Sequence, residues 1–124
     1  MNGKKQSVKA TERYLELKGL GIIDRWWGKD GLAGNIDLVA EDGGELVFVS
    51  VTPGDLDCDA GFREEPLSRE QFELLAATWL RDHADFVDGS VPVRFDRISV
   101  LMLTESRAII RHHVNALTGP FASM

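Results

Sequence analysis

Two runs rich in β-branched and apolar residues, Ile36 to Ala40 and Leu46 to Val51, flank the sequence Asp42-Gly43-Gly44-Glu45. A tight Gly-containing turn between two such runs is a strong β-hairpin signal, and it constrains the fold more than any other stretch. Strand alternation puts Asn35, Asp37 and Val39 on one face, with Ile36, Leu38 and Ala40 on the other. On the second strand Val47, Val49 and Val51 oppose Phe48, Ser50 and Thr52. Both faces are largely apolar, which implies covered, central strands. Asp37 is a lone carboxylate set inside this apolar pattern.

The remaining elements follow from their periodicity. Residues 7–18 read as a helix, with Val8, Thr11, Tyr14, Leu15 and Lys18 as its stripe, Ser7 as its cap and Gly19 and Gly21 as its stop. Ile22, Ile23 and the Trp26-Trp27 pair read as a strand closed by the turn Gly28 to Gly31. Ser68 and Gln71 have the spacing of a capping box ahead of a helix to about His83, with Phe72, Leu75, Ala76, Trp79 and Leu80 inward. Phe95 to Leu103 and Ala108 to Val114 are the last two strands. The order αβββαββ predicts a mixed α/β domain.

At 124 residues the chain is sized for one domain, residues 1–124. No run approaches the roughly 18 apolar residues of a membrane span, and one cysteine, Cys58, makes no internal disulfide. The expectation is a cytoplasmic protein without a membrane role. The net charge of −6 argues against a surface that binds nucleic acid everywhere. Yet residues 41–90 hold 13 acids against Arg63, Arg69 and Arg81, a balance of −10, which leaves the remainder at +4. That asymmetry leaves room for a basic nucleic-acid face at Lys4, Lys5, Lys9, Arg13, Arg25 and Lys29. The plain alternative is a solvated, lysine-rich terminus.

Gly34-Asn35-Ile36-Asp37-Leu38 and Phe48-Val49-Ser50-Val51-Thr52 together resemble the metal-binding hairpin of the YraN-like family of restriction-endonuclease-like, Holliday-junction-resolvase-related nucleases. In that family the text runs Gly-Glu-Ile-Asp-Leu, a turn, then Phe-Val-Glu-Val-Lys. Tyr14-Leu15-Glu16-Leu17-Lys18-Gly19, Trp79-Leu80, Val93-Arg94-Phe95-Asp96 and His113-Val114-Asn115-Ala116 extend the resemblance across residues 7–117. It implies a restriction-endonuclease-like core, a mixed central sheet flanked by helices. It also implies Mg²⁺ held by strand carboxylates to activate water, with a lysine beside the phosphate.

The departures fall on the chemistry. Asn35 stands for the first Glu, Ser50 for the second and Thr52 for the Lys; Ser68 and Val8 stand where the family often has a Lys and an acid. Electrostatic contributions of this kind are worth roughly 2.7–4 kcal/mol each, so losing two disfavours efficient cleavage. The vestigial site is therefore Asp37, Ser50 and Thr52, with Asp37 a weak metal ligand and Mg²⁺ relevant only if activity is retained. Structurally, Asp37 reads as a buried strand acid bonded to backbone or to Ser50.

Three functions follow: a degenerate nuclease-fold protein that binds DNA or RNA; a residual Mg²⁺-dependent endonuclease using Asp37 with Glu41, Asp55 or Glu64; or a protein-interaction module with its own protein partner. Asp55-Leu56-Asp57-Cys58-Asp59 departs from an EF-hand loop at its sixth and twelfth positions, Ala60 and Pro66, and reads as a solvated loop. Cys58 has no basic neighbour closer than Arg63 and does not read as a nucleophile. His112 and His113 are adjacent on a strand, so at most one faces the core.

Overall fold

A computed structural model describes residues 3–54, 68–84 and 91–115. The elements run α1 (Gly3–Leu17), β1 (Gly21–Trp27), β2 (Ile36–Asp42), β3 (Glu45–Gly54), α2 (Arg69–Asp82), β4 (Val93–Thr104) and β5 (Arg107–His113). The order matches the αβββαββ expectation. The five strands form one sheet in the order β1-β2-β3-β4-β5. All neighbours are antiparallel except β3 and β4, which are parallel across the α2 connection. This mixed sheet with two helices is consistent with a restriction-endonuclease-like core.

The hairpin forms for the reason its sequence suggests. Gly43 and Gly44 both have positive φ (59° and 93°), the pair of left-handed positions that a twisted two-residue turn requires. Beyond the turn, β2 and β3 are buried almost throughout. Val47, Val49 and Val51 join Leu38, Ala40, Ile98 and Val100 beneath Val8 and Leu15 of α1. Phe48 and Val39 lie on the opposite face with Phe72, Leu75, Ala76 and Trp79 of α2. Two cores separated by one sheet explain why the strands are apolar on both sides.

Helix α2 begins as expected: the Ser68 side chain accepts from the Gln71 N–H, and the Gln71 side chain accepts from the Ser68 N–H. Helix α1 does not. It starts at Gly3, so Ser7 is an interior helical residue, buried to 1 % exposure. Its C=O accepts from the Thr11 hydroxyl at 2.8 Å. Lysine is a good helix former and imposes no stop, so the extra turn forms once Lys4 has a partner on the sheet. Gly19 (φ 95°) ends the helix, allowing the Leu20 N–H to reach the Leu15 C=O at 3.0 Å.

Strict alternation fails at two places. In β1 a bulge between Ile22 and Asp24 and a positive φ at Trp26 (53°) split the Trp pair. Trp27 packs on the α2-side core, while Trp26 is exposed. In β2 Ile36 belongs to the same core as Val39, so the expected division into 35/37/39 and 36/38/40 ends at Leu38. No helix among the described residues is long and apolar enough to cross a membrane.

Candidate functional site

The pairing of β2 with β3 stops at Leu38↔Val49, while β3 continues to Gly54 alongside β4. From Ser50 onward the β2-side edge of β3 has no strand beside it. The side chain of Asp37 fills the start of that gap. Its Oδ2 accepts from the Val51 N–H at 2.7 Å, taking the place of a backbone carbonyl. Lys4 reaches over from the first turn of α1, with Nζ 2.9 Å from the same oxygen, and donates a short bond to the Val51 C=O. One ion pair thus satisfies both main-chain groups of a buried residue.

This arrangement opposes two electrostatic preferences. Lysine in the first turn of a helix faces the positive end of the macrodipole, and α1 has no acid there. Asp37 is 3 % exposed. Burial pushes its carboxyl above the ordinary value, although the Lys4 ammonium and the Val51 N–H pull it down. A buried, perturbed carboxylate with a specific charge partner is a candidate functional group, and here it also holds the Val51 main chain.

The donor set does not fit the Mg²⁺ that the nuclease resemblance implies. Mg²⁺ takes six oxygen ligands in near-octahedral geometry. Here the carboxylate oxygen and the carbonyl that converge on one point both hold an ammonium. Among the described residues no three His, Cys, Asp or Glu side chains group to hold a metal. Glu41 lies at the far end of β2, paired with Gly21 and Leu46, and is not brought to Asp37. Asp55 and Glu64, with Cys58 and the acidic loop, lie outside the described residues.

Ser50 and Thr52 project on the face of Phe48, opposite Val51. In register, Ser50 stands beside Arg97 and Thr52 beside Ser99. Asp37 is bonded to Lys4 and to backbone. Of the basic candidates, Lys4 is consumed by Asp37, and Lys29 pairs with Asp82 of α2. Arg25 pairs with Glu12 at 2.8 Å. Lys9 and Arg13 remain, one turn apart on the exposed side of α1, and Lys5, which makes a contact of its own, precedes them on the same stripe. Lys9 and Arg13, with Arg107 and Tyr14, line an open groove of about 1140 Å³ between α1 and the β4–β5 hairpin.

A second buried acid, Asp96, is a hub that no spacing in the sequence marks. Asp96 is 1 % exposed and receives Arg94 through two bonds (2.9 and 3.0 Å), His112 Nε2 at 2.7 Å and the Asn115 N–H at 2.8 Å. Burial alone would push its carboxyl up; His112, Arg94 and Asn115 together hold it below the ordinary value. Arg94 continues to Asp42 and Glu45 at the hairpin turn, and His112 Nδ1 meets the Tyr14 hydroxyl at 3.0 Å. The network ties α1, the β2–β3 turn, β4 and β5 together. Its sequence signal was the Arg-Phe-Asp text, but the His and Tyr partners come from 16 and more residues away.

Residues 9–100 match the uncharacterised protein family UPF0102. The chain belongs to this family. It is 36% identical over 104 residues to a UPF0102 protein of Beutenbergia cavernae, covering 81% of this chain and 82% of that one. A UPF0102 protein of Pelotomaculum thermopropionicum is 35% identical over 111 residues, covering 86% and 88%. A UPF0102 protein of Rhodococcus jostii is 35% identical over 92 residues, covering 73% and 74%. The UPF0102 match begins at Lys9, within α1, and runs through the hairpin and α2 to most of β4, so it includes Asp37, Ser50 and Thr52 but not Lys4.

Proposed function

We propose that this UPF0102 protein is a nuclease-fold protein that binds nucleic acid without metal-dependent cleavage. The observation that carries the reading is the Lys4 ammonium, 2.9 Å from Asp37 where a nuclease would need a dication. Ser50 and Thr52 supply neither the second carboxylate nor the lysine that such chemistry uses.

The α1 stripe supports the binding half of the proposal. Lys9, Arg13 and Arg107 face the groove, which Glu12, Glu16 and Glu105 also line. Lys9 and Arg13 have no ion pair among the described residues and open onto the groove. The acid excess of the chain lies elsewhere: the described residues carry 13 acids and 13 Lys or Arg. Residual cleavage with Asp55 or Glu64 is the alternative that the donor set supports less.

The test is binding of single-stranded and branched DNA and of RNA across a salt series, with Mg²⁺ or with chelator. We expect binding that weakens steeply with salt, is indifferent to chelator and leaves the nucleic acid intact. Absence of binding at low salt would favour a protein-interaction module instead. The exposed Leu103, Ile109 and Val114 along the β4–β5 edge would be its natural contact.

A further inference from the structure

Trp26 stands in a backbone conformation that favours glycine or asparagine: its φ is 53°. A bulky side chain in that region is strained. The kink lets Arg25 reach Glu12 of α1 at 2.8 Å while Trp27 packs on the α2-side core. Glycine would make the same kink at lower cost, yet the largest residue type stands there. Strained positions of this kind concentrate where a ligand is gripped.

The indole is also left open. Trp26 is 43 % exposed on β1, an outer strand of the sheet. The pairs Arg25↔Leu38 and Trp27↔Ile36 leave it at the register position of Asp37, where the two strands have no ladder pair. Trp27 and Trp79 are engaged with the rings of His83 and Phe48; among the described residues the Trp26 ring meets no other ring. Its chain neighbour Arg25 lines the groove beside α1, together with Lys9, Arg13 and Arg107. The open ring is thus one residue from the wall of the groove that carries those cations.

We propose that Trp26 is a stacking platform for an unpaired base, so that the nucleic acid this protein takes is single-stranded; the inference rests on the binding reading above. The phosphates of the strand lie along Lys9, Arg13 and Arg107, and one base turns out onto the indole. Every base has a π-face, so such a contact selects unpaired bases without selecting a sequence. In a duplex neighbouring bases cover those faces, and Trp26 has nothing to stack on.

The experiment measures binding of the full chain to an oligothymidylate, to the same backbone with abasic sites, and to a duplex of equal length. Wild type is compared with Trp26→Asn and Trp26→Phe across a salt series. Asparagine accepts a positive φ, so Trp26→Asn should melt near the wild-type temperature. We expect it to bind the oligothymidylate roughly 5- to 150-fold more weakly, with its salt slope unchanged, because a stacked base and not a phosphate contact is lost. Trp26→Phe should keep most of the affinity. Wild type should bind the abasic strand as weakly as Trp26→Asn binds the oligothymidylate, and duplex affinity should not respond to Trp26→Asn.

Equal affinity of wild type for the abasic and the normal strand would overturn the proposal without requiring any variant to fold. Wild-type affinity in folded Trp26→Asn would overturn it too; if Lys9→Glu is impaired in the same assay, the nucleic-acid reading stands. Duplex binding weakened by Trp26→Asn as much as single-strand binding would overturn the single-strand assignment. Failure of wild type to bind any of these ligands at low salt would overturn both readings.

Discussion

The Lys4 ammonium lies 2.9 Å from the Asp37 carboxylate, joining the first turn of α1 to the point where β2 leaves β3. The pair seals the open edge of β3 at Val51 through both of that residue's main-chain groups. It replaces strand pairing with a salt bridge, and it puts an ammonium where metal chemistry would need a dication that binds water.

Asp37 should weaken the fold as it ionises. Its carboxyl is raised above 3.8, chiefly by burial, so the folded chain favours the protonated acid more than the unfolded chain does. That contribution is fully present below 3.8 and is lost as pH rises through the folded value. Asp37→Asn should therefore gain stability relative to wild type as pH rises, read by urea denaturation from acid to neutral pH. Asp37→Ala orphans the Val51 N–H and should cost about 1–3 kcal/mol relative to Asn. A pH-independent difference between wild type and Asp37→Asn would contradict the burial argument.

Asp96 should behave oppositely. Against the upward push of burial, His112, Arg94 and Asn115 hold its carboxyl below 3.8. Its contribution is present above 3.8 and disappears as pH falls through the lower folded value. Asp96→Asn removes the bidentate partner of the largely buried Arg94, which keeps Asp42 and Glu45, and should cost roughly 1.5–3 kcal/mol at neutral pH. Combining it with Arg94→Met should cost less than the sum of the single changes, which a double-mutant cycle measures.

Trp79 should be the most sensitive core position on the α2 side. It is fully buried, packs edge-on against Phe48 and stacks on His83, and its Nε1–H donates to Asp24 at 2.9 Å. Trp79→Ala should cost about 3–5 kcal/mol in denaturant unfolding. Trp79→Phe keeps most of the packing and removes only the bond to Asp24 Oδ2, while Asp24 Oδ1 still accepts from the Arg25 N–H, and we expect a smaller loss.

The α1 stripe should set the salt dependence of binding. Lys9→Glu and Arg13→Glu should each weaken oligonucleotide binding and reduce the log–log salt slope by about 0.7 per lost single-strand phosphate contact. A slope unchanged in the double variant would move the interface away from α1. Lys29→Glu, which breaks the pair with Asp82, should leave the slope unaltered.

Much of the architecture was legible because it is local. The Gly43-Gly44 turn, the capping box at Ser68 and Gln71, and the apolar stripe of α2 all formed as the sequence indicates. The start of α1 was not legible, because the contact made by its extra first turn, Lys4 with Asp37, is distant in sequence. Nor was the face of Asp37, where β2 is still paired with β1 but its pairing with β3 has ended. The Asp96 hub and the placement of Ser50 beside Arg97 depend on a parallel register set across the α2 connection, which no spacing within a strand encodes.

The most direct measurement incubates the folded protein with branched and single-stranded DNA in Mn²⁺ or Mg²⁺, with wild type and Asp37→Ala side by side. We expect both proteins to leave the DNA intact, with wild type still retarding it in a gel at low salt. Metal-dependent cleavage by wild type that vanishes in Asp37→Ala would contradict the proposal that Lys4 has taken the place of the metal.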